Sequence, residues 1–246
     1  MQINPPTQQI GLSNAGQAQA VGLTPNGGGS SGGAADGVRA DWNVRLNVSH
    51  ESGFVGGAGR ILIHNQVAED RTELSFFLPA MAHHDNPGRL EMASAVVCSA
   101  KPGSPAVAGQ SLTWRVEGPR AILTVPVLKL NDWIYLDLTW TGAFPLGGMN
   151  FMGAQVPLGE FHPQLAVEVD TDSGRRGLAL VQARYDCEIG SDPGARIMLD
   201  SDEHGSVLTR ASEDGHQTLH KFASYGRPQI QARLAPPGAV ISSPLG

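Results

Sequence analysis

Charge is missing from both ends of this sequence. No Asp, Glu, Lys or Arg precedes Asp36 and none follows Arg233. Charged residues make up 16% of the 246 positions, below the roughly 25% usual for soluble domains, which disfavours long solvated helices. The formal net charge of −6 argues against a nucleic-acid backbone as partner, since such binding is driven by basic surfaces. No stretch reaches the ~20 apolar residues of a membrane span. The start, Met1 to Pro6, offers neither a basic n-region nor an apolar h-region, so no secretory leader is expected and the expected location is cytoplasmic. Only two cysteines occur. Cys98 and Cys187 read as thiols held within strands, with no cationic neighbour on their own faces to favour a thiolate.

Glycine and proline are plentiful, at 31 and 17 residues, and between the uncharged ends the dominant period is two. Trp42, Val44, Leu46 and Val48 alternate with polar residues, as do Leu74, Phe76 and Leu78, and Leu112, Trp114 and Val116. Residues Ile122 to Leu128 and Trp133 to Trp140 form two further strands, and Lys129 to Asp132 between them reads as a hairpin turn. Later strands are expected at Gln164–Val169, Ala179–Ile189, Ala195–Leu199, Thr218–Ala223 and Gln229–Leu234. Turn signals such as Glu117-Gly118-Pro119 and Asp192-Pro193-Gly194 separate them. Short alternating strands at this spacing predict an all-β fold, an antiparallel β-sandwich or curved sheet spanning residues 39–234. Residues 1–38 read as a neutral Gly/Gln-rich arm or linker, and residues 235–246 as a Pro-rich tail.

The order of these segments resembles the N-terminal β domain of the aminopeptidase N family of zinc metallopeptidases. The resemblance runs from Trp42 to about Leu234. It is carried by Gly56–Asn65 (GGAGRILIHN), Thr72–Leu78 (TELSFFL), Trp133–Gly142 (WIYLDLTWTG), Phe161–Val167 (FHPQLAV) and Ala183–Ile189 (ARYDCEI). It implies a scaffold without the family's chemistry. The H-E-x-x-H zinc motif, whose i, i+4 histidines share one metal on a helix, does not occur in the sequence. Gly147-Gly148-Met149-Asn150 superficially resembles the family's exopeptidase motif but lacks its Glu.

Other candidate sites are sparse. His83, His84 and Asp85 are the densest run of possible metal ligands, but without a further ligand at a known spacing they read as loop residues, and no cofactor is expected. His162 reads as a packed core histidine. The run Asp200 to Gly205 lacks a calcium loop's oxygen pattern. Ser111 is outside any G-x-S-x-G elbow, and Gly56-Gly57-Ala58-Gly59 leads into a strand, not a phosphate-binding helix.

The expected function is therefore that of a non-catalytic structural or accessory subunit. It would dock through its β domain and uncharged arms onto other protein subunits, in a membrane complex gripped from its cytoplasmic side or in a particle shell. The candidate contacts are Ile3, Ile10, Leu12, Val21 and Leu23 in the first arm, Val240 and Ile241 in the second, and Trp133 at the start of its strand. The alternative is a stand-alone substrate-docking or regulatory domain that partners a separate zinc aminopeptidase.

Overall fold

Every second residue of the first strand, from Val38 to Val48, is buried, and the residues between them face solvent or lie at its margin. That alternation requires a sheet with one face in a core. The computed structural model describes residues 37–82, 89–144, 155–170, 176–200 and 206–239. The strands are β1 (Val38–Ser49), β2 (Phe54–Asn65), β3 (Arg71–Phe77), β4 (Arg89–Ala100), β5 (Trp114–Glu117), β6 (Arg120–Leu128), β7 (Trp133–Ala143) and β8 (Val156–Pro157). They continue with β9 (Gln164–Asp170), β10 (Arg176–Leu180), β11 (Ala183–Ser191), β12 (Arg196–Leu199), β13 (Leu208–Ala211), β14 (Thr218–Arg227) and β15 (Ala232–Ala235). Two short 3-10 helices, Pro79–Ala82 and Leu158–Phe161, are the helical elements among the described residues. The fold is all-β, as the period-two pattern predicts.

The described strands form three sheets. A seven-stranded sheet runs β13-β14-β11-β1-β2-β7-β4, a five-stranded sheet runs β10-β9-β3-β6-β5, and a small one runs β12-β15-β8. The two larger sheets meet face to face: the Trp42 ring of β1 lies edge-on to Phe76 of β3, with centroids 6.2 Å apart. One continuous apolar core joins all three sheets, with Trp140, Ile61, Phe76, Phe161 and Leu234 sealed within it. The run Gly56–Gly59 has a packing role. The Trp140 indole lies over Gly57, so closely that a Cβ there would penetrate the ring, and Gly59 is pressed by both Trp140 and Trp42.

Several local expectations change. The Lys129–Asp132 turn exists, closed by Asp132 N–H donating to Lys129 O at 2.9 Å with Asn131 at φ 63°. It is not a hairpin, however: β6 belongs to the five-stranded sheet and β7 to the seven-stranded one. Residues 179–189 form two strands in different sheets rather than one, because β10 ends at Leu180 and β11 begins at Ala183. The pairing of β1 with β11 is parallel, from Ala40↔Ala183 to Val48↔Ser191, within an otherwise antiparallel set of ladders. Trp114 is only partly buried and Val116 is 56% exposed, since β5 is a four-residue edge strand.

Candidate functional site

The outward residues of β1, β2, β7 and β11 lie side by side because their registers align. Asn43 sits opposite Asp186 on one side and Arg60 on the other, and Arg60 sits opposite Asp137. One step along the strands, Asp41 lies between Arg184 and Leu62, and Leu62 faces Tyr135. Oppositely charged residues are thus cross-strand neighbours on this face, Arg184 beside Asp41 and Arg60 beside Asp137. The best-formed pair is Arg60 with Asp137, whose two oxygens accept from Nε at 2.7 Å and Nη2 at 2.9 Å. This fork holds the Asp137 carboxyl below its ordinary range, the hydrogen bond from Arg60 being the leading cause. Arg39 donates to Asp41 and Arg184 to Asp186, each at 3.2 Å. On the far side Lys221 and Arg45 flank Glu188, and the Lys221 hydrogen bond lowers its carboxyl in turn.

These side chains surround a shallow depression of about 320 Å³, lined by Arg39, Asp41, Asn43, Arg60, Tyr135 and Asp186 among others. Guanidinium forks, carboxylates, an amide and a phenol here can offer directional hydrogen bonds. Trp133 is the one contact candidate from the sequence that falls within the described residues, and it stands at the end of this face. It is half-buried, and its ring packs edge-to-face on Tyr135 with centroids 5.6 Å apart. The arm candidates Ile3, Ile10, Leu12, Val21, Leu23, Val240 and Ile241 lie outside the described residues, as do His83, His84 and Asp85 and the Gly147–Asn150 run. Among the described residues no group of three or more His, Cys, Asp or Glu is placed to hold a metal ion.

Sequence reasoning missed the neighbours of Cys98. It sits at an irregularity between Val97 and Ser99 where β4 pairs with β7, and this places it beside Asp137 and near the Arg60 cation. Cys187 is buried, and burial pushes its thiol up. Both cysteines are free.

Two polar groupings lie under the sheet rather than on it. His220 is fully buried, with Nε2 3.1 Å from Ser191 Oγ and Nδ1 3.1 Å from Thr209 Oγ1. Its spacing of 29 residues from Ser191 gave no motif to find. Although this resembles a nucleophile–base pair, Ser191 is 1% exposed and also contacts the Thr218 carbonyl at 3.3 Å. The pair therefore ties β11, β13 and β14 together. His162, also sealed, packs edge-on to Tyr185 and Trp42, with Nδ1 on the Gly159 carbonyl. Desolvation pushes its imidazole down to about 3, so it is neutral at physiological pH.

No protein-family model matches this chain, and no curated protein does. Among solved structures it is similar to an M1 zinc metallopeptidase from Deinococcus radiodurans, at 15% identity and a TM-score of 0.49, over 82% of this chain and 42% of that one. A variant of that enzyme gives 14% identity with the same coverage and score. A two-domain M1 zinc metallopeptidase variant bound to L-tryptophan gives 14% and 0.48, over 82% of this chain and 44% of that one. The chain thus spans less than half the length of these enzymes.

Proposed function

We propose that this chain is a non-catalytic accessory module that docks onto protein partners in the cytoplasm through the outer face of its seven-stranded sheet, with its uncharged ends as secondary contacts. The observation that carries this reading is the set of oppositely charged pairs around the depression, Arg39–Asp41, Arg60–Asp137 and Arg184–Asp186, with Trp133 and Tyr135 at its margin. Planar Arg groups and aromatic rings are the side chains most enriched at protein interfaces, and a patterned set of charges gives register and partner choice. Arms tethered to such a module would contribute by effective concentration rather than by contact area alone. The reading is tested by the double charge reversal Arg60→Glu/Arg184→Glu in the full chain. Capture of native partners should fall at least tenfold while the far-UV spectrum and melting temperature are retained; undiminished capture contradicts it.

A second reading keeps the family resemblance of Gly56–Asn65, Phe161–Val167 and Ala183–Ile189 in view: a docking or regulatory domain that works alongside a separately encoded zinc aminopeptidase. Metal analysis of the captured partners separates the two. A stoichiometric zinc hydrolase supports the second reading, and a zinc-free multi-subunit particle supports the first.

A further inference from the structure

Strand β5 closes one side of the five-stranded sheet, and β6 is its one ladder partner among the described residues. Thr124 N–H donates to Thr113 O at 2.9 Å, and the register runs without a shift from Trp114↔Leu123 to Glu117↔Arg120. Bonded and non-bonded pairs alternate along an antiparallel ladder. Arg115 and Glu117 therefore bond to β6, while the N–H and C=O groups of Trp114 and Val116 point away from it, toward the open edge. No backbone bond among the described residues reaches those groups from outside. The β4 edge of the seven-stranded sheet is treated differently: Gly109, Gln110 and Leu112 bond to the backbone of Ala95 and Val97 at 2.8 to 2.9 Å.

The side chains on the β5 edge carry opposite charges on either side of an apolar centre. Val116 lies opposite the fully buried Ala121 and so belongs to the core-facing side of the sheet, yet it is 56% exposed. Arg115 and Glu117 flank it on the outer side, each about half-exposed. Arg115 donates to Glu73 at 2.6 Å and to Glu117 at 2.9 Å, which keeps both charges on the sheet at this edge. Charge on an edge strand ordinarily deters pairing with another strand. Here the charges match themselves. Antiparallel pairing centred on Val116 sets Arg115 of each copy opposite Glu117 of the other, and Gly118, opposite Trp114, adds no side chain to obstruct it. A register centred on Arg115 or on Glu117 would set like charges opposite one another.

We propose that this chain forms a two-fold symmetric dimer by antiparallel pairing of β5 with β5 of a second copy, in the register Val116↔Val116. The two five-stranded sheets then run on as one. At the axis the two Val116 residues exchange backbone bonds and cover each other's side chains, and an Arg115–Glu117 contact lies on either side. A strand of 4 residues buries little surface, so the dimer is weak and concentration-dependent. This edge belongs to the sheet that the proposed docking face does not use, so the two contacts are independent.

The test is sedimentation of the full chain from micromolar to millimolar concentration. The wild type should pass from monomer to dimer, and a chain that stays monomeric throughout overturns the proposal. Arg115→Glu and Glu117→Arg each set like charges opposite one another, and each should weaken self-association about tenfold. An equimolar mixture of the two variants should restore it, because the new carboxylate of one chain meets the new guanidinium of the other. Absence of that recovery overturns the proposal. Should either variant not fold, Val116→Lys changes an exposed position, places two ammonium groups at the axis and should abolish the dimer by itself. Arg60→Glu/Arg184→Glu should leave self-association unchanged; its loss there would put the interface on the other sheet and overturn the proposal.

Discussion

His162 carries a cost that appears only in acid. Burial lowers its folded-state pKa from 6.5 to about 3, so the unfolded chain binds a proton over a range where the native state does not. Stability is then at its full value above pH 6.5 and falls as pH drops from 6.5 toward 3. His220 adds to the loss in the same direction, its pKa also lowered by desolvation. Urea unfolding at pH 7.5 and pH 4.5 should show a loss on the order of a few kcal/mol. His162→Leu should flatten this dependence even if it lowers stability at pH 7.5, and an unchanged slope would contradict the assignment. Gly57 makes a second demand at this scale. Ala there would drive its methyl into the Trp140 indole, whose Nε1–H is held by the Phe161 carbonyl, so Gly57→Ala should cost about 1–3 kcal/mol through overpacking. The denaturation midpoint checks it. The glycine run was visible in the sequence, but its purpose was not, because the ring that requires it arrives from a strand some eighty residues later.

The connection between β6 and β7 shows what a local pattern can and cannot tell. Both strands were legible from alternation, and so was the turn. The change of sheet depends on Asn65, a buried side chain distant in sequence. Its Nδ2 donates to the Leu128 and Glu69 carbonyls, each at 3.0 Å, while its backbone exchanges bonds with Asn131 and Asp132. Asn65→Ala would leave these carbonyls unpaired and should destabilise by roughly 2 kcal/mol, measured as a shift in the unfolding midpoint; an effect near zero would mean that the turn holds itself. Two other elements were hidden for physical reasons. Of β4 only the strand position of Cys98 was legible, because irregularities between Met92 and Ser94 and between Val97 and Ser99 break its alternation. The parallel β1–β11 pair joins segments some 140 residues apart, which no local period encodes. Likewise, the charged outer face exists only once β1, β2, β7 and β11 align. Trp133 could be singled out from its own strand, whereas the Arg60–Asp137 fork required the register between two strands.

For the molecule as a whole, the outer face tolerates change that the core does not. Arg60, Arg184 and Asp137 are substantially exposed, and paired surface charges add little to stability. Asp137→Asn should therefore leave the melting temperature unchanged within error while weakening partner capture, a separation that a purely structural role would not produce. Deleting residues 1–38 should reduce co-purification with the same partners, since the neutral arm carries Ile3, Ile10, Leu12, Val21 and Leu23. The removed stretch includes Val38, the first residue of β1, so a far-UV spectrum must accompany the result. No helix among the described residues is long and apolar enough to cross a membrane. The most direct measurement is quantitative affinity capture with the wild-type chain and the Arg60→Glu/Arg184→Glu chain in parallel, each verified as folded. A docking face predicts a defined partner set in stoichiometric yield on the wild type and its loss on the variant. Identical capture by both chains would contradict it.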